Sequence, residues 1–294
     1  MTGGSPKTGV INRDLAIAAR ETGVPIASGS MSPYFKDEST ASTFAVLREE
    51  NPDGFVIANV NANATVDQAR RAVDLLRADA LQIHLNAVQE IVMPEGDRSF
   101  AAWGGRIEEI AGGVGVPVIV KEVGFGLSRE TVVTLVKLGV DAADVAGRGG
   151  TDFARIENSR REHHDFAYLE GWGQSAPASL LDAAEVGLPL LASGGVRNPL
   201  DVVRGLALGA KAVGASGTFL RTVLDGGPDA LVARLSAWLD QITALMTVLG
   251  ARSPAELAWC DVRIGGALRE FCVERGITPR ECGTAPGPER GHDR

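Results

Sequence analysis

The sequence predicts an α/β fold of the parallel (β/α)8 barrel class, and three observations carry that prediction. Short apolar runs rich in β-branched residues recur along the chain. Segments of helical periodicity separate them, so strand and helix alternate as in right-handed βαβ units. Each run ends in small or polar residues, which is where a barrel gathers its chemistry.

The runs are Val24–Ser30, Phe55–Val60, Ala80–Asn86, Val116–Gly124, Ala142–Gly147, Pro189–Val196 and Ala212–Gly217. Seven units fall one short of a closed barrel of eight. The chain opens on Met1-Thr2-Gly3-Gly4, a loop-like stretch leading into a helix expected over Gly9–Thr22. That is the form of a βα loop without its strand, so the runs are read as strands two to eight, the first strand being absent from this chain. An open seven-stranded sheet is the alternative.

The helices follow in order. Thr65–Leu76 carries a stripe of Val66, Ala69, Val73 and Leu76. Ser128 is a fitting N-cap for a helix to Leu138, stopped by Gly139. Asn198-Pro199 starts one over Leu200–Leu208, stopped by Gly209. Pro228–Leu249 reads as one long amphipathic helix, and Ser253-Pro254 opens a short one. The charged stretch Glu157–Phe166, with His163 and His164, reads as a long polar loop lacking partners at metal-ligand spacing.

Of the 294 residues 45% are hydrophobic, enough for one large core, so residues 1–276 are expected to form one barrel domain. Residues 277–294, rich in Gly, Pro and charge, are expected to be a disordered tail. A net charge of −8 argues against nucleic-acid binding and requires any anionic substrate to be met by local groups. No apolar run reaches membrane-spanning length and no signal peptide precedes the first helix. Cys260, Cys272 and Cys282 form no CxxC pair, which fits reduced thiols in the cytoplasm.

Candidate site residues collect at the run ends: Ser30 and Ser32, Asn59, His84 and Asn86 with Gln89 and Glu90, Lys121 and Glu122, Thr151, Ser193-Gly194-Gly195, and Ser216-Gly217. The last two loops can bring backbone N–H groups and a helix N-terminus to a phosphate, and phosphate sites recur there in barrels. Lys121 stands in an apolar strand, where a cation needs an anionic partner such as a reduced flavin, a substrate oxygen or the Glu122 carboxylate. Gln82, His84 and Asn86 share one strand face. Glu90 suits a divalent cation shared with a phosphate. Glu95 and Asp97 are alternative carboxylates in a turn setting.

Six segments carry a resemblance: MTGG (Met1–Gly4), SGSMS (Ser28–Ser32), ALQIHLNAVQEIVMPEGDRSF (Ala80–Phe100), VPVIVKEVGFGLS (Val116–Ser128), DVAGRGGT (Asp144–Thr151) and ASGGVRNPLDV (Ala192–Val202). From Met1 to Gly276 the chain resembles the type 2, flavin-dependent isopentenyl diphosphate isomerases. The resemblance implies a cytoplasmic homo-oligomer, tetramer or octamer. It would interconvert isopentenyl and dimethylallyl diphosphate with FMN, Mg²⁺ and NADPH as reductant. It implies that Met1, Thr2, Ser30, Asn59, Lys121, Thr151, Gly194, Gly195, Arg197, Ser216 and Gly217 contact FMN. Ser30, Met31, Ser32 and Gln89 would bind substrate, His84, Gln89 and Lys121 would serve catalysis, and Glu90 would bind the metal. Family members also carry an N-terminal segment with the first strand and an Arg-Lys pair for the diphosphate. Some have arginine at the position of Ser32, and a serine stands where this chain has Ala146. The alternatives are an FMN barrel oxidoreductase of the α-hydroxy-acid oxidase type and a shortened, non-catalytic FMN-binding relative. The oxidases pair a catalytic histidine with substrate-binding arginines, a set not evident here.

Overall fold

The computed structural model describes residues 2–278; Met1, Cys282 and residues 279–294 of the expected tail lie outside the described residues. Six strands, β1 (Ile26–Ala27), β2 (Val56–Asn61), β3 (Ala80–His84), β4 (Val118–Lys121), β5 (Ala142–Asp144) and β6 (Leu190–Leu191), form one parallel sheet in sequence order. This is the order of a barrel wall built strand by strand, with helices returning the chain.

The helices are α1 (Pro6–Thr22), α2 (Ser32–Lys36), α3 (Ser42–Glu50), α4 (Val66–Leu76), α5 (Ala87–Val92) and α6 (Trp103–Ala111), then α7 (Arg129–Lys137), α8 (Phe153–Asn158), α9 (Ala176–Ala183), α10 (Pro199–Ala207), α11 (Gly217–Leu249) and α12 (Gly266–Glu274). Val56, Ala58 and Val60 of β2 are fully buried in one cluster with Ala69, Val73 and Leu76 of α4. Each such aliphatic side chain contributes roughly 1.5–3 kcal/mol when removed from water. The alternate β2 residues, Ile57, Asn59 and Asn61, face the other side, which turns polar toward the strand end.

Local chemistry moves several expected boundaries. Helix α1 starts at Pro6, not Gly9, because Ser5 and Thr8 form a reciprocal capping box and proline suits the first turn. Thr65 and Ser128 are N-caps preceding α4 and α7, and Asn198 caps α10 from Pro199. The helix expected over Pro228–Leu249 extends back to Gly217 across a break at Gly227, and the short one is a 3-10 turn over Pro254–Trp259. The loop expected from Glu157 begins inside a helix, since Asp152 caps α8 through Asn158. The seventh run forms no extended strand: it makes one bridge, Ala192↔Val213, before the chain turns into α11. Two-residue β6 offers it little ladder to extend. Among the described residues no ladder joins this run to β1.

Candidate functional site

Parallel register brings Asn61, His84, Lys121 and Asp144 into one row across the C-terminal ends of β2 to β5. Polar groups gather around it. Ser30 and Ser32 share a hydroxyl contact of 3.0 Å, and Asn61 Nδ2 donates to Ser32 Oγ at 3.2 Å. Asn59 Nδ2 donates to the Ser28 carbonyl, so Asn59 Oδ1 faces His84 Nδ1 at 3.0 Å. Met31 is fully buried, its side chain in the main core and its N–H on the Asn59 carbonyl. Thr2 runs over Gly29, where a Cβ would fall 2.3 Å from the Thr2 carbonyl oxygen.

Gln82 and His84 are buried on β3, whereas Asn86, expected on the same strand face, lies past the strand end at His84 and is the buried N-cap residue of α5. Burial, followed by the Lys121 charge, pushes the His84 imidazole down to about 4. Lys121 Nζ donates to the Glu122 carbonyl at 2.6 Å, not to its carboxylate. That carboxylate turns the other way and accepts from the N–H groups of Val123, Gly124 and Phe125. Burial pushes it up to about 6 against those hydrogen bonds.

A second group sits on α5 and the loop after it. Asn86 Nδ2 donates to Glu90 Oε1 at 2.7 Å, and Asp97 N–H donates to Glu90 Oε2 at 2.9 Å. Arg98 buckles this loop through the carbonyls of Glu90, Gly96 and Met93. Gln89 Nε2 donates to Glu157 Oε1 at 2.9 Å. Asp97 accepts from Asn63, and Glu95 pairs outward with Arg160. Among the described residues no group of three or more His, Cys, Asp or Glu side chains could hold a metal unaided.

The third group is the glycine-rich end of the sheet. Gly194 and Gly195 adopt φ of 90° and 77°, and a Cβ on Gly194 would meet the Gly147 carbonyl oxygen at 2.0 Å. Asp144 accepts both contacts of the Ser193 hydroxyl, at 2.8 and 2.9 Å, and also the Ala146 N–H. Helix α11 starts after Ser216 with no side-chain cap, leaving first-turn N–H groups for a ligand. Ser28 Oγ, just after β1 at the other edge of the sheet, is buried without a partner. Uncapped amides and a glycine cradle are a donor set that fits a flavin phosphate.

Thr151 lines a cavity of about 220 Å³ with Phe125, Arg148 and Trp172. Arg197 is exposed and paired with Asp201 at the start of α10, apart from the polar row. A hollow of about 400 Å³ between α10 and α11 contains none of the strand-end polar residues. Two acids at the site escape sequence reasoning. Asp144 is legible only as an acid in an apolar run, and Glu157 sits in a charged stretch that gives no signal.

The chain matches the FMN-dependent dehydrogenase family over residues 46–262. It is 68% identical over 280 residues to the isopentenyl-diphosphate delta-isomerase of Streptomyces sp. (strain CL190), covering 95% of this chain and 77% of that protein. It is 48% identical over 277 residues to the enzyme of that name from Lacticaseibacillus paracasei, covering 94% and 80%. Its fold is similar to mandelate oxidase, with a TM-score of 0.61 at 18% identity over 86% of this chain and 74% of the other.

Proposed function

The chain belongs to the isopentenyl-diphosphate delta-isomerases, within the FMN-dependent dehydrogenase family, and from that premise we propose how its strand ends interconvert isopentenyl and dimethylallyl diphosphate. What supports the proposal is the presence of three kinds of group at the strand ends: the glycine-rich loops Gly194-Gly195 and Ser216-Gly217, the buried His84 and Gln89, and the carboxylate of Glu90.

The reaction adds a proton to the terminal methylene carbon and removes one from the carbon two bonds away, moving the double bond with no net oxidation. Unactivated alkenes are weak bases, so the step needs a strong and well-placed acid. Reduced FMN, when bound, supplies proton-transfer chemistry that no side chain here offers. Gly194, Gly195, Ser216 and Gly217 would hold its phosphate, and Ser30, Asn59, Thr151 and Lys121 would meet the rest. Thr2, Arg197 and Met1 are proposed as further FMN contacts on the strength of the family resemblance.

The residues then divide the work. Lys121 would present a positive charge to an anionic reduced ring. Ser30, Ser32 and the Met31 main chain are proposed to hold the diphosphate, and Glu90 would share Mg²⁺ with it. Those contacts offset the repulsion expected from a chain of net charge −8. His84, neutral because of its burial, hydrogen-bonds and shapes the hydrocarbon site without taking a proton at neutral pH. Gln89 does the same from α5. NADPH is proposed as the external reductant, and a cytoplasmic homo-oligomer, tetramer or octamer, as the working form. Among the described residues no helix is long and apolar enough to cross a membrane.

An oxidase reading would need arginines facing a catalytic histidine. Arg98, Arg160 and Arg161 near the strand ends are instead engaged by carbonyls and carboxylates. The test is turnover of isopentenyl diphosphate by the yellow, FMN-loaded protein under anaerobic reducing conditions. Bound flavin without isomerisation would favour the oxidase or the non-catalytic reading.

A further inference from the structure

We propose that Arg160 is a positioning residue for the isomerisation: it fixes the Glu157 carboxylate that holds the Gln89 amide. The inference rests on the reading of Gln89 as a substrate-facing residue. Glu157 is buried, and its two oxygens have one donor each. Oε1 accepts from Gln89 Nε2 at 2.9 Å, and Oε2 accepts from Arg160 Nη1 at 2.5 Å. The other arm of the same guanidinium, Nη2, reaches Glu95 Oε1 at 2.6 Å on the loop after α5. One planar group thus ties α8 to the loop that also carries Glu90's partner Asp97.

The two ends of a glutamine amide are nearly equal in shape, so the partner decides which end points where. An ionised carboxylate only accepts, which forces the amide nitrogen toward Glu157 and leaves Oε1 directed away from it. That selection lasts only while the Glu157 carboxylate stays in place. Without Arg160, a buried carboxylate would keep one neutral donor, an arrangement that desolvation disfavours. It would escape by swinging to solvent, and that change removes the fixed acceptor of Gln89. Lysine can restore the charge but not the two-armed fork.

The experiment compares Arg160→Met, Arg160→Lys, Glu95→Gln and the pair Arg160→Met with Glu157→Gln, all as FMN-loaded enzyme. Arg160→Met is expected to lower kcat about 10- to 100-fold, with KM for the diphosphate nearly unchanged and flavin retained, because a displaced positioning group costs rate rather than binding. Arg160→Lys recovers part of the loss. Glu95→Gln stays near wild type, and Arg160→Met adds little in the Glu157→Gln background. Additive losses, or a Glu95→Gln defect equal to that of Arg160→Met, would overturn the proposal. A crystal structure of Arg160→Met decides independently of turnover. The contact between Gln89 and Glu157 is expected to be broken, and its persistence unchanged would refute the assignment. If the wild type fails to isomerise, the proposed function falls while this structural readout still stands.

Discussion

The Nδ1 atom of His84 lies 3.0 Å from Oδ1 of Asn59. The Asn59 amide is oriented by its own donation to the Ser28 carbonyl, so Nδ1 of His84 carries the proton. Its other ring nitrogen is left as an acceptor. With the imidazole pushed down to about 4 by burial and by Lys121, His84 stays in this neutral form across the working range.

The first prediction concerns that form. Nitrogen-15 NMR of the histidine rings should show His84 neutral and Nδ1-protonated from pH 5 to pH 8. Asn59→Asp should raise its titration by placing a carboxylate at Nδ1. The unfolded chain protonates near 6.5 while the folded one resists until about 4. This group's contribution is therefore complete above pH 6.5 and fades as pH falls toward 4, by about 3 kcal/mol. A His84 signal titrating near 6.5 in the folded protein would contradict the account.

Glu122 should act in the opposite sense. Its folded value is pushed up to about 6 from an ordinary 4.5. The protonated form is favoured by the fold, so its contribution is complete below pH 4.5 and is lost as pH rises through 6, by about 2 kcal/mol. Glu122→Gln keeps an acceptor for the three N–H groups and removes the titration. The melting-temperature difference between Glu122→Gln and wild type should therefore grow in favour of the variant between pH 4.5 and 6, then level off. A pH-independent difference would show that the carboxylate does not titrate there.

The glycine cradle predicts a cofactor defect. Gly194→Ala would place a Cβ against the Gly147 carbonyl on a backbone at φ 90°. FMN should bind about 100-fold more weakly, roughly 3 kcal/mol, by fluorescence quenching on the apoprotein. Ser193→Ala frees the loop from Asp144 and should weaken binding less. Full flavin content in Gly194→Ala would remove this loop from the phosphate site.

Glu90 predicts a metal dependence that needs the substrate. Chelation should abolish turnover, and Mg²⁺ should restore it. Mn²⁺ should show bound-metal paramagnetic resonance only when pyrophosphate is present, because a site built on Glu90 would supply one carboxylate. Glu90→Gln should lose that signal and retain FMN. Tight Mn²⁺ binding without pyrophosphate would point to a different ligand set.

Much of this was legible in the sequence, and the failures have physical causes. Alternation of β-branched runs with capped helical stripes identified the parallel wall, because Ser128, Asn198 and Thr65 cap helices by side-chain chemistry that is local. The seventh run looked like a strand on its own residues, yet a strand needs a neighbour, and two-residue β6 offers only one bridge. Gln82 and His84 are assignable to one strand face by period two alone, but Asn86 is not, because the strand ends at His84. Glu157 could not be assigned, because its meaning comes from Gln89, 68 residues away. Lys121 is legible as a cation in an apolar strand, where the structure leaves it half-buried, but the choice between the carbonyl and the carboxylate of Glu122 depends on a turn that no spacing rule specifies.

The most direct measurement is proton NMR of isopentenyl diphosphate incubated in deuterated buffer with FMN-loaded enzyme, Mg²⁺ and NADPH under anaerobic conditions, beside Gln89→Ala. The account predicts that wild type forms dimethylallyl diphosphate with deuterium incorporated, and that Gln89→Ala keeps its flavin but forms none. Flavin-loaded, reduced wild type that leaves the substrate unchanged would contradict it.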